Sequence, residues 1–208
     1  MRLAIIGAGQ VGAALGGAWS AKRHEVVYGV PDPQKPKYAA LPRGAVMRGR
    51  EAVKGADAIV LATPWQATEA ALRELGDLNG RLIVDCTNPL AMGPEGLHLV
   101  LGHTGSGGEQ VAAWAAGAAV FKTLNHIGAS NMALASRFDP RPVMFVAGDD
   151  AARKSEVMRL VGDLGFEAVD AGPLQAARLL EPLAMLWIEL ALKRGQGGAF
   201  AFALARRG

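Results

Sequence analysis

Apolar residues fall in short runs along this chain. Most runs end in a turn built on glycine, proline or a polar pair, ahead of a segment with helical spacing. Residues 2–6 form such a run, and residues 13–22 the helix-forming stretch that follows it. Further strands are expected at 24–29, 44–47, 56–62, 81–85 and 118–124, with a short helix at 50–55, a helix opened by Pro64 at its first position, and another at 109–116. Beyond these lie a strand at 142–147, an amphipathic helix at 150–164, a short strand at 166–169 and a long apolar helix at 174–194 interrupted at Pro182.

The turn after the first strand reads Gly7-Ala8-Gly9-Gln10-Val11-Gly12, a G-x-G-x-x-G leading from strand to helix. Gly7 suits the tight turn, Gly9 lets the backbone approach a pyrophosphate, and Gly12 lets helix and strand pack closely. The free N–H groups and positive end of the helix would then face the phosphates. Strand–helix alternation with this turn points to an α/β fold. The expected form is a doubly wound, mainly parallel Rossmann sheet with a small C-terminal α/β extension ending in the long apolar helix. Residues 1–138 are expected to be the dinucleotide-binding domain, and 139–208 the extension, whose long apolar helix would pair two copies.

After the second strand the chain reads Val30-Pro31-Asp32-Pro33-Gln34-Lys35-Pro36-Lys37, too rich in proline for an ordinary helix. Asp32 would suit the ribose hydroxyls of NAD, whereas Lys35, Lys37, Arg43 and Arg48 would neutralise the 2′-phosphate of NADP. Two later strands also end beside a proline, at Ala62-Thr63-Pro64-Trp65 and Asp85-Cys86-Thr87-Asn88-Pro89. These are carboxyl ends of strands, where doubly wound sheets hold ligands, so they are expected to line the nicotinamide half of the site.

Composition narrows the function classes. The 208 residues are half hydrophobic and one-fifth charged, as in a globular chain, and the formal net charge is +3. Lys and Arg are scattered, so no nucleic-acid partner is expected, and no apolar segment has the length of a membrane span. The N-terminus is already the first strand, without the features of a secretory signal. Cys86 is the single cysteine, which fits a reducing cytosol and a packed thiol, and the expected location is cytoplasmic. His24, His98, His103 and His126 do not pair at ligand spacing, so no metal is expected. Hydrolase-elbow and P-loop patterns are absent, and Ser106 reads as a helix cap near Glu109.

What remains is a dinucleotide site with few ionisable groups around it. Hydride transfer between stacked rings needs orientation and water exclusion more than acid–base catalysis. His126, at a strand end, is the candidate proton donor, with a pocket-lining role as its alternative. Glu181 and Glu189 lie on the long apolar helix and would need partners if buried.

Residues 7–12, Ala62-Thr63-Pro64-Trp65, Asp85-Cys86-Thr87-Asn88-Pro89 and Lys122-Thr123-Leu124-Asn125 together resemble the NADPH-dependent coenzyme F420 reductases. So do Gly148-Asp149-Asp150, Asp170-Ala171-Gly172-Pro173-Leu174 and Arg178-Leu179-Leu180-Glu181. The resemblance implies an NADP-binding enzyme, with NAD possible, that passes hydride to a flavin or deazaflavin acceptor and forms a homodimer. Carried over by position, Gly7, Ala8, Gly9, Gln10, Val11 and Gly12 hold the pyrophosphate. Ala62, Thr63, Pro64, Asn88, Pro89, Asn125, Ile127 and Ala129 lie around ribose and nicotinamide. Val30 and Lys35 stand where the 2′-phosphate would bind, and the family's Ser or Asn followed by Arg is replaced by Val30 and Pro31. The acceptor would stack near Trp65, His126, Gly195, Gly197 and Gly198. The alternatives are a non-catalytic NAD(P) redox sensor and a reductase of a small imine or keto acid.

Overall fold

The computed structural model describes residues 1–207. The chain begins with β1 (Arg2–Ile6), α1 (Gln10–Ala21), β2 (Glu25–Gly29), β3 (Ala45–Met47) and α2 (Gly49–Ala52). It continues with β4 (Ala58–Leu61), α3 (Trp65–Leu75), β5 (Leu82–Asp85), β6 (Leu90–Gly93) and β7 (Gly96–Leu99). Then come α4 (Gly107–Trp114), β8 (Ala119–Lys122), α5 (Ala129–Met132) and β9 (Val143–Gly148), followed by α6 (Ala151–Asp163), β10 (Glu167–Asp170) and α7 (Ala177–Leu192).

Eight strands form one sheet in the order β10-β9-β8-β5-β4-β1-β2-β3. Its pairs are parallel except β8 with β9, which run antiparallel. This is the doubly wound α/β arrangement expected from the alternation of elements. The central strands β1, β4 and β5 are apolar apart from Arg2 and Asp85 at their ends, because both faces are covered. Alternate residues of β1 enter opposite layers. Leu3 and Ile5 pack with Leu15, Trp19 and Phe121 on one side. Ala4 and Ile6 pack with Leu61, Leu72 and Ile83 on the other. Trp19 closes the first layer by donating its indole N–H to the Leu160 carbonyl at 2.9 Å, which ties α1 to α6.

Several local expectations shift. No α-helix links β2 to β3; a single 3-10 turn at Pro36–Tyr38 does, as the prolines require. Pro64 is the cap before α3, not its first residue, and keeps an extended ψ of 143°. Helix α7 is not interrupted at Pro182 but runs through it. Pro182 is exposed, on the side of the helix away from its buried residues. The β6–β7 hairpin, a separate antiparallel pair, was not foreseen.

α7 buries Ala177, Leu180, Glu181, Ala184, Trp187 and Ala191, packing against α4, the β6–β7 hairpin and the returning tail. Leu179, Leu186 and Leu192 stand exposed on its outer surface. After α7 the chain doubles back: Trp187 stacks on Phe200 with ring centroids 5.1 Å apart, and Val143 donates its N–H to the Phe202 carbonyl at 2.9 Å. No helix among the described residues is long and apolar enough to cross a membrane.

Candidate dinucleotide site

The glycines of the first turn are fixed by different neighbours. Gly7 has φ +101°, donates its N–H to the Gly29 carbonyl at 3.0 Å, and would press a Cβ to 2.6 Å from the Ala62 oxygen. A Cβ on Gly12 would lie 2.0 Å from the Gly7 oxygen, so this glycine sets the approach of α1 to the turn. Gly9 differs from both. It is exposed with an ordinary φ of −82°, and a Cβ there would meet nothing within 4 Å. Packing within the protein does not require glycine at this position. An open place beside the backbone at the start of a helix does fit a ligand's diphosphate. No side chain caps α1, which leaves its first N–H groups to face that place.

A cleft of about 610 Å³ opens there. Of the expected cofactor residues, Gly7, Ala8, Gly9, Gln10, Val11, Val30, Ala62, Thr63 and Pro64 line it. Lys35 does not; Lys37 and Tyr38, on the 3-10 turn, stand at the cleft in its place. The Asp32 carboxylate accepts the Gln34 N–H at 3.2 Å within its own loop and is not part of the lining.

A second cavity of about 460 Å³ shares Val11, Ala62, Thr63 and Pro64 with the first. Trp65, Gln66, Cys86, Thr87 and Asn88 form its floor and sides, and Leu90, Ala91, Met92 and Leu97 of the hairpin form its outer wall. Among the described residues Cys86 is the one titratable side chain lining it, and burial pushes that thiol far above its usual range. The site residues in the two asparagine positions brace one another. Asn125 donates its amide to Asn88 Oδ1 at 3.0 Å and to the Leu180 carbonyl at 2.9 Å, while Asn88 donates to the Asn125 carbonyl at 2.8 Å. Asn88 thus presents itself to the cavity with Asn125 buried behind it. Pro89 accepts the Val100 N–H at 2.8 Å and holds the base of the hairpin. Ile127 is a core residue and Ala129 opens α5; neither lines either cavity.

His126, the expected proton donor, is 2% exposed and also lines neither cavity. Leu124 takes a left-handed φ of 57° at the strand end, and the His126 ring lies 5.5 Å from Phe145 of β9. Burial lowers its pKa to about 4, against a backbone hydrogen bond at Val143 that raises it. It therefore stays neutral in the fold at pH values where the unfolded chain is protonated. The unfolded state then binds the extra proton, so stability falls as pH drops from about 6.5 towards 4. The expected loss is on the order of 3 kcal/mol, measured by denaturant unfolding across that range. His126→Phe should flatten the profile; an unchanged acid slope in that variant would refute the assignment.

The Gly195, Gly197 and Gly198 turn is exposed and belongs to neither cavity. Gly198 uses its carbonyl to accept Asn131 Nδ2 at 2.6 Å, which anchors the returning tail.

One cluster below the second cavity escaped the sequence reading. Lys122, fully buried at the end of β8, contacts Asp85 Oδ2 at 2.7 Å and Glu181 Oε1 at 2.9 Å, and donates to the Thr87 carbonyl at 2.7 Å. Burial alone would push the ammonium down, yet the two carboxylates hold its pKa above the usual lysine value. Asp85 also accepts the N–H and hydroxyl of Thr87 at 2.9 and 2.7 Å. Glu181 takes the N–H groups of Gly107 and Gly108, at 2.8 and 2.9 Å, at the start of α4. The parallel register that sets Asp85 beside Lys122 was the missing signal.

A G-x-G-x-x-G turn with an open helix N-terminus, a cleft and an adjoining cavity is the arrangement of a dinucleotide-binding fold. Comparison with known proteins sharpens this. Residues 2–89 match the family described as NADP oxidoreductase, coenzyme F420-dependent. The F420-dependent NADP reductase of Methanocaldococcus jannaschii is 27% identical over 215 residues, covering 93% of each chain. A solved structure from Arthrobacter sp. FB24, assigned as an F420-dependent NADP reductase, superposes with a TM-score of 0.91 at 33% identity. That match covers 99% of this chain and 100% of the other. The chain belongs to this family and is an NADP-dependent oxidoreductase. The reductive aminase of Aspergillus terreus, 16% identical with a TM-score of 0.67 over 93% of this chain and 62% of its own, shares the fold.

Proposed function

We propose that this chain passes hydride between NADP(H) and a deazaflavin of the coenzyme F420 type. The observation that carries the reading is the junction of the two cavities at Val11, Ala62, Thr63 and Pro64. A dinucleotide with its diphosphate against residues 7–11 would reach the second cavity with its nicotinamide end, where a planar acceptor can lie against it. The residues present fit NADP: the open face of Gly9 admits the diphosphate, and Lys37 is the cation lining the cleft for the 2′-phosphate. When bound, the cofactor supplies the hydride donor or acceptor carbon.

The protein's own contribution is placement and dryness. Trp65, tilted against Trp114 with centroids 5.2 Å apart, and the hairpin residues make an apolar enclosure. Among the described residues no carboxylate, lysine or histidine lines that enclosure. An alcohol dehydrogenation would need a base there, whereas carbon-to-carbon hydride transfer between two rings does not.

The test is stopped-flow oxidation of NADPH with F420, FMN and a ferric chelate as competing acceptors. F420 is expected to be reduced with saturation kinetics and the chelate only slowly. Absence of turnover with F420 would overturn the reading, and preferential reduction of FMN would move it to the flavins.

A further inference from the structure

The buried Lys122 cluster touches the second cavity from behind at three points. Its Nζ holds the Thr87 carbonyl, and Thr87 lines that cavity together with its neighbours Cys86 and Asn88. Asp85 fixes the same loop through the Thr87 N–H and hydroxyl. Glu181 grips the first turn of α4, where a Cβ on Gly107 would lie 3.0 Å from Glu181 Oε1, 3.2 Å from Pro89 and 3.2 Å from Trp65. The start of α4 thus packs directly against the tryptophan side of the cavity. One ammonium ties together the ends of β5 and β8, the start of α4, and α7.

We propose that Lys122, bridged to Asp85 and Glu181, is a positioning residue for hydride transfer, setting the height of the Cys86-Thr87-Asn88-Pro89 loop and of Trp65 around the reacting rings. It lines neither cavity, so it acts through these residues and not on the substrate itself. The glycine-rich turn and the adenosine end of the cleft share no hydrogen bond with the cluster, so their grip on the cofactor is independent of it. The inference rests on the second cavity being the place where the rings meet. Small misplacements of reacting groups there are costly in rate.

Two variants test it. Glu181→Gln keeps the lysine paired with Asp85 and removes one carboxylate. The triple variant Asp85→Asn, Lys122→Met, Glu181→Gln removes every charge in near-constant volume and deletes the bond to Thr87. Each is titrated with 2′,5′-ADP, which occupies only the adenosine end, with NADPH, and with F420 on the NADP-loaded protein. In folded variants 2′,5′-ADP should bind within about threefold of wild type. F420 affinity and kcat should each fall about tenfold or more, the triple variant being the worse. If the triple variant does not fold, Glu181→Gln alone decides. Unchanged F420 affinity and kcat in a folded variant would overturn the inference, as would an equal loss of 2′,5′-ADP binding, which would mark a purely structural role. Wild-type protein that ignores F420 would sink the proposed acceptor only. The ratio of NADPH to 2′,5′-ADP affinity then reads the positioning, expected to shift about tenfold and refuting it if constant.

Discussion

Gly9→Val is expected to leave the thermal transition close to that of wild type while weakening NADPH binding about 100-fold or more. The argument is one of space and donors. Gly9 carries a φ of −82° and ψ of −163°, which valine adopts readily, and a Cβ there meets nothing within 4 Å. No side-chain cap bond exists to be lost, so the folded state should change by no more than about 1 kcal/mol. The added methyl groups fill the place where a diphosphate must touch bare N–H groups. Displacing it from two such charge-assisted hydrogen bonds, at about 1.5–3 kcal/mol each, accounts for the expected loss. Gly12→Ala makes the contrast, because its Cβ would lie 2.0 Å from the Gly7 oxygen and the turn itself must move. Calorimetric titration with NADPH beside a melting curve separates the two. A Gly9→Val protein that binds normally would move the diphosphate elsewhere.

The same contrast shows what a linear sequence reveals. β1, the glycine turn and α1 were legible because an apolar strand period, a motif and a helical period agree within some twenty residues. The ends of β4 and β5 were legible as cavity walls for a similar reason, since polar residues beside prolines follow buried strands. The hairpin was not. Leu90-Ala91-Met92-Gly93 and Gly96-Leu97-His98-Leu99 carry small and mixed residues, half-buried, without the alternation of a strand that covers a core. Yet that hairpin walls the second cavity. His126 misled for the opposite reason. A histidine at a strand end suggests chemistry, but the left-handed turn at Leu124 sends it against Phe145. Pro182 misled as well, since packing of the helix residues on either side carries α7 through it. For Glu181 the need for a partner was readable from its apolar surroundings. The partner, Lys122, depended on a β5–β8 register that neither segment encodes alone.

Lys122→Met should destabilise the fold by about 3–5 kcal/mol, a large share of the 5–15 kcal/mol typical of a whole domain. The lysine is fully enclosed, and removing it leaves the carboxylates of Asp85 and Glu181 buried with only backbone and hydroxyl donors around them. The loss reflects desolvated, unpaired charge more than the worth of the ion pair itself. Neutralising all three groups together should therefore recover most of it. The pH dependence supplies an independent sign. In wild type the raised Lys122 pKa means its contribution is fully present below the ordinary lysine value and is lost only as pH rises beyond it. Denaturant unfolding of wild type, Lys122→Met and the triple variant at neutral pH should show the single variant as the least stable of the three. A triple variant no more stable than Lys122→Met would mean that lost packing and not stranded charge governs this cluster.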